Sequence, residues 1–302
     1  MDVFVRGDKE GSVVGKMVFK CAGQDLEVIP EDAVAAIGSS YREIYSRRDA
    51  MAAMALEMKR RKQDSLCKVP FCVSVEAEAL GAHVRVEDSI IPPALHGYAC
   101  KTGDELKSLP DIDFSSGRIH EVLESASILA GQGECVSIRA EAPFTILMML
   151  MDLTGIALCF RKCPEALHSA LDHIGNQLAE YIRLAVGRGA RIISYSDPSG
   201  IPDYIGDEFY RELCAKPTCR VLRKVQPYMQ HSVVHLCGRT SAAMQNEGFC
   251  RSGQLPVKAQ SYGEALAEAA GMPDIWLLGH GCLQKTAEPA NGRLHVLQLL
   301  QE

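Results

Sequence analysis

The sequence predicts an α/β fold of the TIM-type (β/α)8 barrel class, and two observations lead to this prediction. Short runs rich in β-branched residues alternate with amphipathic helical segments along most of the 302-residue chain. This alternation indicates repeated strand–helix–strand units with parallel strand pairing. Several of the predicted strands also end in polar residues or glycine. Because the carboxyl ends of barrel strands converge on one face, where active sites are built, one fold accounts for all of these clusters.

The predicted elements form a single domain over residues 1–302, in which residues 1–30 are an N-terminal extension. The extension is predicted to contain a strand pair, because a turn-rich connection separates two β-branched runs. The other predicted strands are 69–75, 83–87, 134–140, 190–196, 232–238, 249–257 and 274–278. The predicted helices are 31–37, 48–61, an acidic start at 76–81, 119–131, an apolar helix that opens at 141–145, 164–187, 206–215, 217–229, 240–246, 259–271 and a closing helix at 289–301.

Composition excludes several classes of protein. The apolar content of 47% and the charged content of 23% are typical of a globular protein. A net charge of −6 argues against non-specific nucleic-acid binding, which requires a basic face. The N-terminus has no apolar segment of the kind that signal peptides carry, and the longest apolar run, 144–151, is too short to span a membrane. We therefore expect a cytoplasmic protein whose 12 cysteines are thiols or metal ligands rather than disulfides.

The run from Ser232 to Gly238 carries the clearest candidate site. It reads as a buried strand, on which His235 and Cys237 occupy alternate positions and so share a face. An imidazole and a thiol side by side at a strand end form half of a zinc site, and Cys282, at the end of another apolar run, could supply the third ligand. Three protein ligands leave a fourth position open, as in catalytic sites. The alternative is that these are buried thiols of the core, which are common in a cysteine-rich chain.

Acidic residues follow three of the predicted strands. Glu76 and Glu78 come just after the strand 69–75, and Glu141 and Asp197 follow the next two long strands. Carboxylates at strand ends are well placed for a site. Acidic residues are also favoured at helix N-termini for electrostatic reasons, so the two interpretations of Glu76 and Glu78 stay open here.

Five segments, in order, resemble one known family. They are Val69–Ala82 with its Val-Glu-Ala-Glu sequence, Ala142–Thr145, Ser196–Gly200, His235–Gly238 with its His-x-Cys-Gly sequence, and Gly279–Cys282 followed by Glu288–Asn291. Over roughly residues 40–300 the chain resembles the uroporphyrinogen decarboxylase superfamily. Within it the chain is most similar to the corrinoid-dependent methyltransferases of the methylcobamide:coenzyme M type.

The resemblance implies a chemistry and assigns residues to it. It implies one zinc ion held by His235, Cys237 and Cys282, which activates a small thiol as the methyl acceptor. The methyl donor would be methylcobalamin carried by a separate corrinoid protein. With this function, Asp197, Glu76 and Glu78 are the expected catalytic residues. Arg239 and Glu141 are the expected substrate-binding residues, and Arg239 is a candidate cation for a sulfonate on the acceptor.

The chain also departs from the family. Only 45 positions separate Cys237 from Cys282, and the N-terminal Arg-Pro motif is not evident, so the barrel is shortened, incomplete or closed by a partner subunit, which leaves a homodimer open. Cys250 lies between Cys237 and Cys282 in the sequence and is either a substitute ligand or a buried thiol. Three alternative functions remain at this point: methyl transfer to tetrahydrofolate, non-catalytic corrinoid or tetrapyrrole binding, and a decarboxylase-like reaction in which Asp197 is the candidate carboxylate.

Overall fold

A computed structural model describes residues 16–21 and 26–301 of the protein. Within this part of the chain, strands and helices alternate along most of the sequence, as the pattern predicted. The strands are β1 Cys67–Val69, β2 Val84–Arg85, β3 Ala94–Leu95, β4 Val136–Glu141, β5 Ala190–Ser196, β6 Val233–Cys237, β7 Cys250–Pro256, β8 Leu277–Gly281 and β9 Arg293–Leu299.

Seven of these strands form the main sheet, in the order β1-β4-β5-β6-β8-β9-β7. The first five in this order pair in parallel, whereas β9 runs antiparallel to both β8 and β7. The remaining two strands, β2 and β3, form a separate small antiparallel pair. The predicted α/β class with parallel pairing is confirmed. Within the described residues the strand pairing does not close the sheet, since β1 and β7 are its two edges.

The helices cover the sheet and complete the strand–helix alternation. They are α1 Glu31–Ile37, α2 Tyr41–Ser46, α3 Arg48–Lys62, α4 Val75–Ala79, α5 Gly103–Lys107, α6 Gly117–Gly131, α7 Pro143–Leu150, α8 Leu153–Lys162, α9 Pro164–Gly187, α10 Pro202–Ile205, α11 Asp207–Phe209, α12 Lys216–Val225, α13 Gly238–Asn246 and α14 Tyr262–Ala269. A π-helical segment, Tyr210–Ala215, joins α11 to α12, so the helices predicted at 206–215 and 217–229 form one nearly continuous helical stretch.

The core lies between the parallel strands and the helices that flank them. The central strands are buried on both faces, as the side chains of β4 and β6 illustrate. Helix α9 begins at Pro164, whose fixed φ suits the first helical turn, and buries one face of its 24 residues against the sheet and neighbouring helices. Burial along most of their length explains why these strands were predicted well, although β4 carries Ser137 and Arg139 among its apolar residues.

The closing helix predicted at 289–301 is wrong, because this segment forms strand β9. Leu294 and Val296 are buried with a period of two, and β9 pairs with both β8 and β7. The turn before the strand contains Asn291 and Gly292, both with positive φ, which is the backbone conformation that a tight turn into a strand requires. Pro289 was misread as a helix start, although the sequence that follows it has strand periodicity.

Other predictions shift or fall outside the described residues. The strand predicted at 274–278 begins later, at Leu277, and the strand predicted at 83–87 shortens to β2. Most of the strand pair predicted in the N-terminal extension lies in residues 1–15, outside the described part, and residues 16–20 are not in a strand. Among the described residues, no single helix is long and apolar enough to cross a membrane, although the sharply bent pair α7 and α8 meets the length and composition criteria together.

Candidate metal and thiol site

The parallel register brings the ends of four neighbouring strands to one edge of the sheet. Glu141, the last residue of β4, pairs with Ser196, the last residue of β5. Cys237, the last residue of β6, lies opposite Gly281, the last residue of β8, and Cys282 follows directly. Two of the predicted zinc ligands, Cys237 and Cys282, are therefore neighbours across this edge, although they are far apart in sequence.

The hydroxyl group of Tyr262 lies against His235 and against Gly281, where an added Cβ atom would be 1.8 Å from it. The Nε2 atom of His235 lies 2.7 Å from the Tyr262 hydroxyl oxygen, and the two rings meet edge to face with centroids 5.8 Å apart. Burial raises the pKa of Tyr262, and the nearby thiols of Cys282 and Cys237 raise it further. Sequence reasoning missed Tyr262, because a tyrosine at the start of a predicted helix carries no local signal of such a contact.

Burial keeps all three predicted ligands uncharged. His235 is 1% exposed, and burial lowers its pKa to about 3, so its imidazole is neutral. Burial raises the pKa of Cys237 to about 11, with a smaller contribution from Cys282, and burial also raises the pKa of Cys282. A neutral imidazole is the state that binds a metal, whereas both thiols would have to lose a proton first.

The residues present fit a zinc ion in their chemistry. One imidazole nitrogen and two thiol sulfurs are ligands that zinc prefers. The Nδ1 atom of His235 is buried and has no hydrogen-bond partner, which is unusual for a polar atom in a protein interior. As they stand, the side chains do not converge: in residues 16–21 and 26–301 no three His, Cys, Asp or Glu side chains form a group that could hold a metal ion.

A nearby histidine, His280, is engaged in a separate hydrogen-bond network. Its Nδ1 and Nε2 atoms lie 3.1 Å from the Ser241 hydroxyl and 3.0 Å from the Gln245 side-chain oxygen, and its backbone N–H donates to the same hydroxyl over 2.9 Å. These contacts tie the end of β8 to α13. His280 therefore positions the strand end rather than competing as a ligand.

Three of the predicted acidic residues are buried near the ends of β4 and β5. The backbone N–H of Glu141 donates to Glu76 Oε1 over 3.0 Å, and the Ser196 hydroxyl donates to Glu141 Oε2 over 3.0 Å. Burial, assisted by the charge of Glu141, raises the pKa of Glu76 to about 8. Burial also raises the pKa of Asp197 to about 6, although the Thr145 hydroxyl donates to its Oδ1 over 2.7 Å.

Glu78 lies apart from this buried group. Its carboxylate pairs with the guanidinium of Arg118 on α6, and Arg118 also donates to the Ser74 hydroxyl over 3.0 Å. Residues two apart on a helix point in divergent directions, so Glu76 enters the interior while Glu78 faces α6. The structure thus does not bring Glu78 together with the other predicted catalytic residues.

Arg239 and Cys250 have different surroundings. Arg239 stacks over the ring of Tyr204, with 5.6 Å from its Cζ atom to the ring centroid, and lines a cavity of about 300 Å³ beside α13. Cys250 is buried on β7, with its sulfur 3.9 Å from the backbone oxygen of Ser241. The geometry therefore favours a buried core thiol at Cys250 and leaves Arg239 accessible to an anion.

Comparison with known protein families gives one match. The sequence profile described as uroporphyrinogen decarboxylase (URO-D) matches residues 10–252 of this chain. This range includes His235 and Cys237 but ends before Cys282. The place of Cys282 in the candidate site therefore depends on the register of β6 and β8 rather than on the match.

Individual proteins similar to this chain are methyltransferases. The methylcobamide:CoM methyltransferase MtbA of Methanosarcina acetivorans is 23% identical over 231 residues, covering 76% of this chain and 67% of the relative. MtaA of Methanosarcina barkeri, with the same description, is 22% identical over 217 residues, covering 71% and 63%. A solved structure, a methyltransferase from Methanosarcina mazei, aligns with a TM-score of 0.62 at 21% identity over 71% of this chain and 64% of its own. The chain thus spans about two thirds of the length of these relatives.

Proposed function

Because the chain belongs to the uroporphyrinogen decarboxylase family, we propose that it is a zinc-dependent methyltransferase that moves a methyl group from the methylated corrinoid of a partner protein to a small thiol such as coenzyme M. The observation that carries the proposal is the register of β6 and β8, which sets Cys237, on the strand that also carries His235, opposite Gly281 and so next to Cys282. The similarity to methylcobamide:CoM methyltransferases supports the same chemistry.

In this proposal His235, Cys237 and Cys282 hold the zinc ion. When bound, zinc supplies the positive charge that lowers the pKa of a thiol substrate and turns it into the thiolate nucleophile. The imidazole of His235 is already neutral, because burial lowers its pKa to about 3. The two cysteines carry protons until the metal binds, so zinc uptake should release protons and weaken as the pH falls.

The buried carboxyl groups are assigned to proton handling. Asp197, with a pKa of about 6, is suited to accept the proton that a substrate thiol loses near neutral pH. Glu76, with a pKa of about 8, stays mostly protonated at pH 7 and so adds no second negative charge beside Glu141. Arg239 is assigned to the anionic tail of the acceptor, because it lies one residue after Gly238 and borders an open cavity.

One observation favours a second candidate, a non-catalytic corrinoid-binding protein. The pairing of the described strands does not close the sheet, of which β1 and β7 are the edges. A binder needs the open end of the sheet to accept the corrin but does not need a thiol-activating metal. The two candidates therefore differ in metal content and in turnover.

Metal content and methyl transfer, measured in parallel, test the proposal. We expect about one zinc ion per purified chain, lost in His235→Ala and Cys237→Ala. We also expect demethylation of methylcobalamin when 2-mercaptoethanesulfonate is added. Homocysteine and tetrahydrofolate serve as alternative acceptors. Cys250→Ala is the matched control, because it removes a buried thiol outside the candidate site and should retain both metal and activity.

Each contrary result has a distinct meaning. Methyl transfer to tetrahydrofolate alone would move the acceptor assignment from a thiol to a folate. Cobalamin binding with no transfer to any acceptor, by a chain without zinc, would select the binder. Equal metal loss in Cys250→Ala and Cys237→Ala would remove the support for the assigned ligand set.

A further inference from the structure

A short N-terminal segment, residues 16–21, lies against helix α13 beside the candidate site. The Met17 N–H donates to Asn246 Oδ1 over 2.8 Å, and Asn246 Nδ2 donates to the Met17 backbone oxygen over 2.9 Å. Within the described part of the chain, this segment belongs to no helix or strand. The segment, called the strap below, is thus tied to the end of α13 by a side-chain amide rather than by strand pairing.

Phe19 of the strap lies over the first residue of α13. A Cβ atom on Gly238 would lie 2.4 Å from the Phe19 ring, so the ring occupies the space that the missing side chain leaves open. Gly238 directly follows Cys237, one of the predicted zinc ligands. A close contact therefore places the Phe19 ring beside the candidate site.

Two cavities meet at Phe19. The first, of about 300 Å³, is lined by Arg239 and by Tyr204 of α10. The second, of about 270 Å³, is lined by Tyr262 and Cys282. Of the described residues that line either cavity, only Phe19 lines both. The ring therefore stands between the cavity of the candidate anion-binding residue and the cavity of the candidate thiol site.

This partition bears on how one acceptor molecule can use both cavities. In the proposed function Arg239 binds the anionic tail of the acceptor, whereas its thiol must reach the site beside Cys282. With Phe19 in place, these two residues face different cavities. A single small molecule can contact both residues only if the Phe19 ring leaves the space between them.

We propose that Phe19 is a gate that determines how an acceptor binds. With the strap in place the gate is closed, and a thiol beside Cys282 has no access to Arg239. Movement of the strap away from Gly238 joins the two cavities, so that one molecule reaches Cys282 with its thiol and Arg239 with its anionic group. This inference rests on the proposed function for the class of ligand, an anionic thiol. A segment outside the helices and strands is the kind that opens at low cost in free energy.

Thiol-directed reagents of opposite charge test the gate without metal or turnover. The reagent (2-sulfonatoethyl) methanethiosulfonate carries an anionic tail, and its trimethylammonioethyl analogue carries a cationic one. In each reaction the Cys282 thiol loses its proton to solvent, its sulfur forms a disulfide with the alkylthio group of the reagent, and methanesulfinate leaves. Peptide mass spectrometry of the metal-free chain measures the rate of modification at Cys282 separately from that at the other cysteines.

We expect Phe19→Ala to raise the rate at Cys282 with the anionic reagent by about fivefold or more, because an open gate increases the fraction of chains in which Arg239 can hold the sulfonate. The rate with the cationic reagent should rise less. Asn246→Ala, which removes both hydrogen bonds to Met17, should act in the same direction. Adding Arg239→Gln to Phe19→Ala should remove most of the gain for the anionic reagent.

Val18→Ala is the matched control, because Val18 lies on the same strap, is 83% exposed, and leaves the Phe19 ring in place when truncated. Rates in Phe19→Ala and Asn246→Ala equal to those of the unaltered chain would overturn the gate and leave the proposed function intact. A gain of equal size for both reagents would also overturn it, since that result indicates simple exposure of Cys282. A chain with no zinc and no methyl transfer would overturn the proposed function, and the two rates would still decide on the gate.

Discussion

Glu76 is a carboxyl group almost completely shielded from water, and its protonation couples to folding. Its ordinary pKa is 4.5, and burial, with the nearby charge of Glu141, raises the pKa to about 8 in the folded chain. The folded state therefore binds more protons than the unfolded chain between these values, so the free energy of unfolding should fall as the pH rises across this interval. Asp197 contributes a loss of the same sign between pH 3.8 and about 6.

Substitution of Glu76 by Gln should flatten this dependence. Each unit of pKa shift is equivalent to about 1.4 kcal/mol. The free energy of unfolding of the unaltered protein should therefore fall by a few kcal/mol across the interval, and that of Glu76→Gln by much less. Urea unfolding at a series of pH values measures the slope. Glu105→Gln is the control, because backbone N–H donors at the start of α5 lower the pKa of Glu105. Above its ordinary pKa of 4.5 this substitution should change the free energy of unfolding by the same amount at every pH and leave the slope unchanged. Parallel slopes in Glu76→Gln and the unaltered protein would contradict the assignment.

The candidate ligands could be predicted from the sequence, whereas the side chains that contact them could not. His235, Cys237 and Cys282 could be singled out because each lies at or next to the end of an apolar strand. Tyr262 meets His235 only through a contact between distant parts of the chain, which no local pattern encodes. Glu76 and Glu78 show the reverse case: they are two positions apart in the sequence, but their side chains have different partners in the structure.

At the scale of elements, strand β8 is held tightly between β9 and helix α13. A Cβ atom on Gly279 would lie 2.5 Å from a Leu297 methyl carbon and 2.8 Å from the Ser241 Cβ, closer than packed atoms approach. Leu297 can rotate away, but Ser241 is fixed by its hydrogen bonds to His280. The small residue at position 279 is therefore what allows these three elements to pack.

Gly279→Ala should destabilise the protein by about 1–3 kcal/mol, because the added methyl group overpacks this contact. Gly131→Ala, at the end of α6, is the matched substitution: its Cβ atom would meet nothing within 4 Å, and it should stabilise the protein by about 0.5–1 kcal/mol. Chemical denaturation of both variants measures the difference. A neutral Gly279→Ala would mean that β8 and α13 separate more easily than their packing indicates.

Elements buried on both faces were predicted well, and the end of the chain was not. The strands of the parallel core are rich in apolar residues and are buried along most of their length, which favours strands in the interior of a sheet. Strand β9 is half exposed and begins after a proline, so its sequence suits a helix start as well as a strand. Its pairing with both β8 and β7 makes this segment a strand, and that pairing depends on tertiary contacts.

At the scale of the whole molecule, a buried polar cluster joins the beginning of the sheet to the segment after β8. Lys68 on β1 pairs with Asp64 over 2.7 Å and with Glu27 over 2.9 Å. Asp64 also accepts hydrogen bonds from the Thr286 hydroxyl and, over 3.2 Å, from the Leu66 N–H. The Thr286–Asp64 hydrogen bond thus connects parts of the chain that strand pairing does not connect within the described residues.

Lys68→Met should therefore destabilise the protein far more than an ordinary ion-pair deletion. It leaves the buried carboxylate of Asp64 without its cation, a loss of about 3–5 kcal/mol at neutral pH, whereas Glu27 keeps its pair with Lys62 over 3.1 Å. Although burial alone raises the pKa of Asp64, Lys68 and hydrogen bonds reverse this and hold it below its usual 3.8, which stabilises the fold at neutral pH and is lost on acidification. The difference between variant and unaltered protein should accordingly shrink as the pH falls below 3.8. Lys59→Met, which breaks the more exposed pair with Glu134, should cost about 1 kcal/mol or less. Equal losses in the two variants, measured by urea unfolding, would show that the cluster does not hold β1 to the segment after β8.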